Sequence, residues 1–271
     1  MSRTRPNFVN PPLVEQAITA AFDPIEGFSF VHVGEFWSLV KNEFPQHDHQ
    51  LPIETAVERD ELRQSIELDF RVVPATARLP RMMFRNDQEL IQLQQDRFSF
   101  NWTKASDESE YPRWEKTYAR FRQLYHTFNE YLSAAGLAEP NLRQCEVTNV
   151  NIIPVADFGS SFADICSAFA VDPLGLHVPF LVPETYTRVR QHRIVNNDGS
   201  MVGRLHTVLQ PVFSSENGEP AFRLELTARS LPKTDTVGKI EDFLKIARDS
   251  INAGFMGITN NEMRARWGET P

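Results

Sequence analysis

Two rhythms of apolar residues run along this chain, and each predicts a different kind of element. In YPRWEKTYARFRQLYHTFNEYLSAAGL, Trp114, Tyr118, Phe121, Tyr125, Phe128, Leu132 and Ala135 recur at spacings of four and three, which puts them on one side of a helix. Pro112 suits its first turn and Gly136 its stop. The same spacing in DTVGKIEDFLKIARDSINAGFMGIT lines up Ile240, Phe243, Leu244, Ala247, Ile251, Phe255 and Ile258 on a second long helix, with Asp235 or Thr236 as its cap. A shorter helix over about 34–44 carries Phe36, Val40 and Phe44 on one side.

Elsewhere the period is two. LRQSIELDFRVV alternates Leu62, Gln64, Ile66, Leu68, Phe70 and Val72 against a mostly polar set, as a strand with one buried face does. ELIQLQQDRFSFNW folds as a hairpin around Gln95 and Asp96, a register that sets Leu93 beside Phe98 and Ile91 beside Phe100. Asp198 and Gly199 of NNDGS accept the positive φ of a tight turn between YTRVRQHRIV and GRLHTVLQPVF. AFRLELTAR turns Phe222, Leu224, Leu226 and Ala228 inward. QCEVTNVNIIPV is also a strand, but its faces are ambiguous: Val147 and Ile153 share a side with Asn149 and Asn151, while Val150 and Ile152 share one with Glu146. The expectation is that Asn149 and Asn151 face the open side of the sheet.

Laid end to end, the first half reads strand (13–22), helix, up to four antiparallel strands (62–103), long helix; the second reads strand (145–153), short helical stretch (160–169), strands (178–230), long helix. The expected fold is therefore α+β. A strand, helix, four strands, helix unit is used twice, over 1–138 and 139–271, to form one curved antiparallel sheet with helices on one face. This element order resembles the TATA-box-binding-protein-like architecture, in which the first strands of the two units lie side by side at the centre. Architecture carries no function with it.

At 271 residues the chain can bury an ample core. No apolar run approaches the roughly 20 residues of a membrane span, and MSRTRPNFVNPPL lacks a signal-peptide core, so the expected location is the cytoplasm. Two cysteines, Cys145 and Cys166, make neither a disulfide framework nor a four-thiolate zinc site, and are expected as reduced core residues. A net charge of −8 disfavours nucleic acid, whose binding draws on Lys and Arg against phosphates.

Five stretches taken together, NPPLVEQAI, LQQDRFSFNW, YPRWEKTYARF, EVTNVNIIP and FLKIARDSINAGFMGIT followed by MRARWG, resemble a sporadically distributed bacterial family of uncharacterised proteins of about this length. That family more often carries an aromatic residue where Asn149 stands. The resemblance implies a bacterial accessory protein of patchy occurrence, associated with mobile elements, phage defence or toxin–antitoxin modules, and brings no catalytic residues with it.

Candidate chemistry is sparse. His47, Asp48 and His49 in FPQHDHQLP sit in an expected loop and are competent metal ligands, but spacing places no further ligand beside them, so no metal or cofactor is expected. Arg188, Arg190, His192 and Arg193, with Arg204 and His206 on the paired strand, form the most basic region, suited to phosphate or carboxylate or, equally, to a solvated face paired with Glu225 and its neighbours. Glu15 and Glu146 occupy matching places in the two central strands, where carboxylates brought together would raise one another's pKa. The aromatic residues from Phe98 to Phe128 are explained as core. No nucleophile, phosphate-loop or metalloprotease motif is present. The leading expectation is a non-enzymatic binding or regulatory protein that holds a protein or peptide partner on the open sheet face, through Asn149, Asn151 and the basic residues. The alternative is a small-ligand binder or enzyme with a pocket between the sheet and the long helices.

Overall fold

A computed structural model describes residues 7–54, 56–58, 79–106, 109–160, 165, 169, 185–214, 218–232 and 240–270 of the chain. In order these form β1 (Asn7–Phe8), β2 (Leu13–Phe22), α1 (Phe30–Val40), β3 (Gln46–Gln50), β4 (Arg81–Arg85), β5 (Glu89–Gln94), β6 (Arg97–Thr103), α2 (Arg113–Ala134), β7 (Leu142–Pro154), β8 (Arg188–Val195), β9 (Met201–Phe213), β10 (Pro220–Ser230), α3 (Ile240–Ile258), α4 (Asn261–Arg266) and β11 (Glu269–Thr270). Nine of the strands make one antiparallel sheet, ordered β3-β4-β5-β6-β2-β7-β10-β9-β8. β2 and β7 are neighbours at its centre, with Ala17 opposite Thr148 and Ile18 opposite Val147. β1 and β11 pair separately.

All the long helices lie on one face. Alternation sends Ile18, Ala20, Phe22, Phe98, Phe100, Val147, Ile153, Leu224 and Leu226 toward them, and each is buried. Under α1 and α2 the core is aromatic, with Phe36 and Phe98 each 5.4 Å from Phe128 between ring centroids. α3 comes down on β10 and β9 at Gly254, where a Cβ would meet Leu205 Cδ2 at 2.8 Å and Leu226 Cδ2 at 3.0 Å. The helix stripes are as spaced from Phe243 onward on α3 and along α2, except that Thr117, Leu124 and Tyr131 also turn inward on α2. α1 begins four residues before the expected start and ends at Val40, yet Phe44 beyond it is still fully buried. The hairpin at Gln95 and Asp96 has the expected partners, Leu93 with Phe98 and Ile91 with Phe100. The NNDGS turn forms with Gly199 at φ 83°. The strand expected over 62–73, most of the helical stretch over 160–169, Cys166 and the cap at Asp235 or Thr236 lie outside the described residues.

Two expectations change. QHDHQ, expected as a loop, is the edge strand β3: it has no apolar pattern to announce it and is held by main-chain pairing with β4. The open face is not bare either. The chain leaving β3 crosses it in the direction of β9, and five side chains of the sheet hold that strap. Gln94 of β5 both accepts from the Ile53 N–H (2.8 Å) and donates to its carbonyl (3.1 Å). Gln144 of β7 accepts from the Glu58 N–H (2.9 Å) and donates to the Ala56 carbonyl (2.9 Å). The Glu58 carboxylate then reaches Arg204 and His206 of β9, the latter at 2.7 Å, and Arg229 of β10 at 3.7 Å. The open face of the central strands is consequently half-buried, with Gln144, Val150 and Thr19 buried on it, and for that reason alternation in EVTNVNIIP does not separate the faces. Among the described residues no helix is long and apolar enough to cross a membrane.

Candidate functional site: an amide-lined cavity under the two long helices

Three amide side chains stand on the helix-facing side of the two central strands, in positions where the neighbouring rows carry Ile18, Val147, Ile153 and Leu226. They are Gln16 of β2 and Asn149 and Asn151 of β7. Gln16 and Asn149 are direct partners in the β2–β7 ladder, and Asn151 is opposite Leu13 beyond a bulge at Val14. Gln16 and Asn151 are each only 3% exposed. Placing amides in that layer is costly unless they are hydrogen-bonded, and part of their capacity is used. Gln16 Nε2 donates to Asn149 Oδ1 at 2.9 Å, the Tyr111 hydroxyl donates to Gln16 Oε1 at 2.9 Å, and Asn151 Nδ2 donates to the Leu224 carbonyl at 3.1 Å. Asn149 Nδ2 and Asn151 Oδ1 have no hydrogen-bond partner among the described residues.

These side chains line a cavity of about 320 Å³ between the sheet, the start of α2 and the middle of α3. Its apolar wall comes from Phe8, Trp114, Ile251 and Phe255, and Asn252 of α3 adds a fourth amide. Arg113, Glu115 and Arg248 stand at its rim. Arg248 pairs with Glu115 at 2.8 Å and lies over the Trp114 ring, 5.7 Å from its centroid. Arg113 has φ 72°, the sole positive φ of a non-glycine residue among those described, and its guanidinium donates to the Phe8 carbonyl at 3.1 Å. Backbone strain of this kind persists only where surrounding contacts over-determine it. Burial, opposed by the hydrogen bond to Gln16, pushes the Tyr111 hydroxyl up to about 12, so it keeps its proton at neutral pH.

The residues expected to form one binding surface are thus separated into three places. Asn149 and Asn151 face the helices, which corrects the expectation that they point to the open side. Arg188, Arg190, His192 and Arg193 line a second cavity, about 400 Å³, between the edge strand β8 and α3, floored by Leu205, Leu209 and Leu224. Arg193 is opposite Arg204 in the β8–β9 register. Arg204 is 4% exposed and bound to Glu58, in an ion cluster where Arg229 also pairs with Glu146 at 2.5 Å. Glu146 and Glu15 do not meet: Glu15 is opposite Val150 and Glu146 opposite Thr19, and Glu15 accepts instead from Asn101 at 2.5 Å. His47 packs edge-on against Trp37 at 4.9 Å, while Asp48 turns to Arg85 at 3.8 Å. Among the described residues no three metal-capable side chains converge.

Sequence reasoning missed Gln16, Tyr111, Arg248 and Asn252. Gln16 carried a signal, since it is in phase with Ile18, Ala20 and Phe22 and is thus a polar residue on the apolar side of its strand. Arg248 and Asn252 reach the cavity only through tertiary packing. The chain matches no protein-family model and no curated protein, so its function is argued from this geometry.

Proposed function

We propose that this protein is a binding protein for a small molecule with amide-like donor and acceptor groups, held in the cavity between the central strands and the two long helices. The carrying observation is the amide set: Gln16 and Asn151, both buried, and the half-buried Asn149 stand on the helix-facing side yet leave Asn149 Nδ2 and Asn151 Oδ1 unused, facing a space large enough for a ligand. Natural cores depart from apolar packing mainly where a site requires it, and a few convergent polar groups in an otherwise apolar cavity are the usual make-up of a ligand pocket. Binding rather than chemistry fits the lining. Its amides do not titrate, Tyr111 holds its proton, and the carboxylate at the rim, Glu115, is exposed and paired with Arg248.

Strand order supports reading the chain as two copies of the strand, helix, strands, helix unit, over 1–138 and 139–271, in the TATA-box-binding-protein-like arrangement. On that reading the cavity lies at the junction of the units, with Gln16 from the first facing Asn149 from the second. A protein partner on the open face has less support, because Asn149 and Asn151 are on the other side and Arg204 is occupied by Glu58.

Calorimetric titration with uracil, whose ring edge offers both donors and acceptors, tests the proposal. Saturable binding that is lost in Asn149→Leu and in Asn151→Leu, both still folded by circular dichroism, is the expected result. Binding unaffected by either substitution would place the ligand elsewhere and refute the reading.

A further inference from the structure

The rim of the cavity differs in character from its floor, and we infer that the ligand carries an anionic group, a phosphate or a carboxylate, which docks at Arg248 and the start of α2. The inference rests on the cavity being the ligand site and adds the chemistry of one end of that ligand.

Three observations converge on the anion. Arg248 is largely buried, its side chain 19% exposed, with its guanidinium carbon 5.7 Å from the Trp114 ring centroid, while its carboxylate partner Glu115 is 67% exposed. An exposed carboxylate gains little from such a pair, so a bound anion can take its place at small cost. A guanidinium fixed over an aromatic ring has its forked donors pre-set for a planar or tetrahedral anion, which would take the place of the Glu115 carboxylate. Second, α2 runs for 22 residues and opens on the cavity with Pro112 at its cap position, which supplies no side-chain hydrogen bond to the first turn. Amide N–H groups there and the helix dipole favour negative charge. Third, Arg113 is held in a strained conformation beside the same opening, adding a second cation in a protein whose net charge is −8. The unpartnered Asn151 Oδ1, on a residue only 3% exposed, marks the interior behind this rim as the ligand space. A ligand with a lactam ring inside and an anion at the rim, no larger than a nucleoside monophosphate, satisfies both ends.

Uridine and uridine 5′-monophosphate differ only in the anion and serve as probes, with inorganic phosphate as the third. In titrations of the full chain at low salt, the monophosphate should bind at least about tenfold tighter than uridine, the size of one charge-assisted contact. Arg248→Gln should remove that advantage while leaving uridine binding in place. Glu115→Gln, which removes the competing carboxylate, should tighten the monophosphate and leave uridine unchanged; this variant retains Arg248 and so covers the case in which Arg248→Gln does not fold. Equal affinities for uridine and its monophosphate, both abolished by Asn151→Leu, would overturn the anion inference and leave the cavity reading standing. Phosphate binding equally well to wild type and Arg248→Gln, or no binding of either uridine or its monophosphate while uracil binds, would also overturn it.

Discussion

Glu58 is the pin of the strap that crosses the open face, and replacing it should loosen one side of the molecule. Its carboxylate is 6% exposed and faces Arg204, Arg229 and His206, with Glu146 as the other acid of the cluster. Glu58→Gln preserves shape and removes the charge, so two guanidiniums are left with one carboxylate. Breaking a buried ion pair from one side costs about 3–5 kcal/mol. The lower end applies here, because the strap is a surface segment: once unpinned it can lift, and water can reach Arg204. The expected loss is therefore about 3 kcal/mol, or about a hundredfold in the unfolding equilibrium. Urea unfolding followed by circular dichroism measures it, as a lower midpoint with an unchanged slope. Amide hydrogen exchange locates it, because the Ile53 and Glu58 N–H groups bond to Gln94 and Gln144 and should lose protection before the sheet does. Replacing the pair together, Glu58→Met with Arg204→Met, should recover much of the loss, since Arg229 keeps Glu146. A Glu58→Gln protein within about 0.5 kcal/mol of wild type, the range of an ordinary surface substitution, with unchanged exchange at residues 53 and 58, would refute the assignment of the strap.

Other consequences are separable. Burial, then Arg229 and Arg204, hold His206 down at about 4 from 6.5, against the opposing Glu146 and the Glu58 carboxylate 2.7 Å from its Nε2; the unfolded chain takes up this proton first, so stability is full above pH about 6.5 and is lost as pH falls toward 4, by at most about 1.4 kcal/mol per pH unit. His206→Gln should flatten that part of the profile, and an identical slope in the variant would contradict it. Burial pushes the Cys145 thiol up to about 12, so iodoacetamide at pH 8 should leave the Cys145 peptide unlabelled in the native protein and label it in urea; native labelling at the rate of a free thiol would count against the buried assignment. Gly203→Ala puts a Cβ 2.4 Å from the Arg229 carbonyl and 2.8 Å from Phe243 and should cost about 3 kcal/mol. Gly257→Ala meets nothing within 4 Å and should add up to about 1 kcal/mol; thermal melts showing the two variants alike would contradict the packing of α3.

Much of the fold is legible in the sequence because its main elements bury one face. The spacing in α2 and α3, the hairpin at Gln95 and the turn at Gly199 each follow from a local pattern with a single physical reading. β3 is not legible, since QHDHQ buries no side chain and exists only through its main-chain bonds to β4. The cavity was half legible. Asn149 and Asn151 stand out as polar residues in a strand, but their direction depends on which face is more apolar, and Val150, 6% exposed on the open face, masks that contrast. Gln16 could have been found by phase. Arg204, read as a surface cation, was misjudged because its partner Glu58 is 146 residues away and no local pattern links them.

The most direct test of the central claim is a crystal structure of the full chain soaked with uracil. The expected result is the ring in the cavity under α2 and α3, accepting from Asn149 Nδ2 and donating to Asn151 Oδ1. A cavity holding only water at saturating uracil, or one closed by repacked side chains, would contradict it.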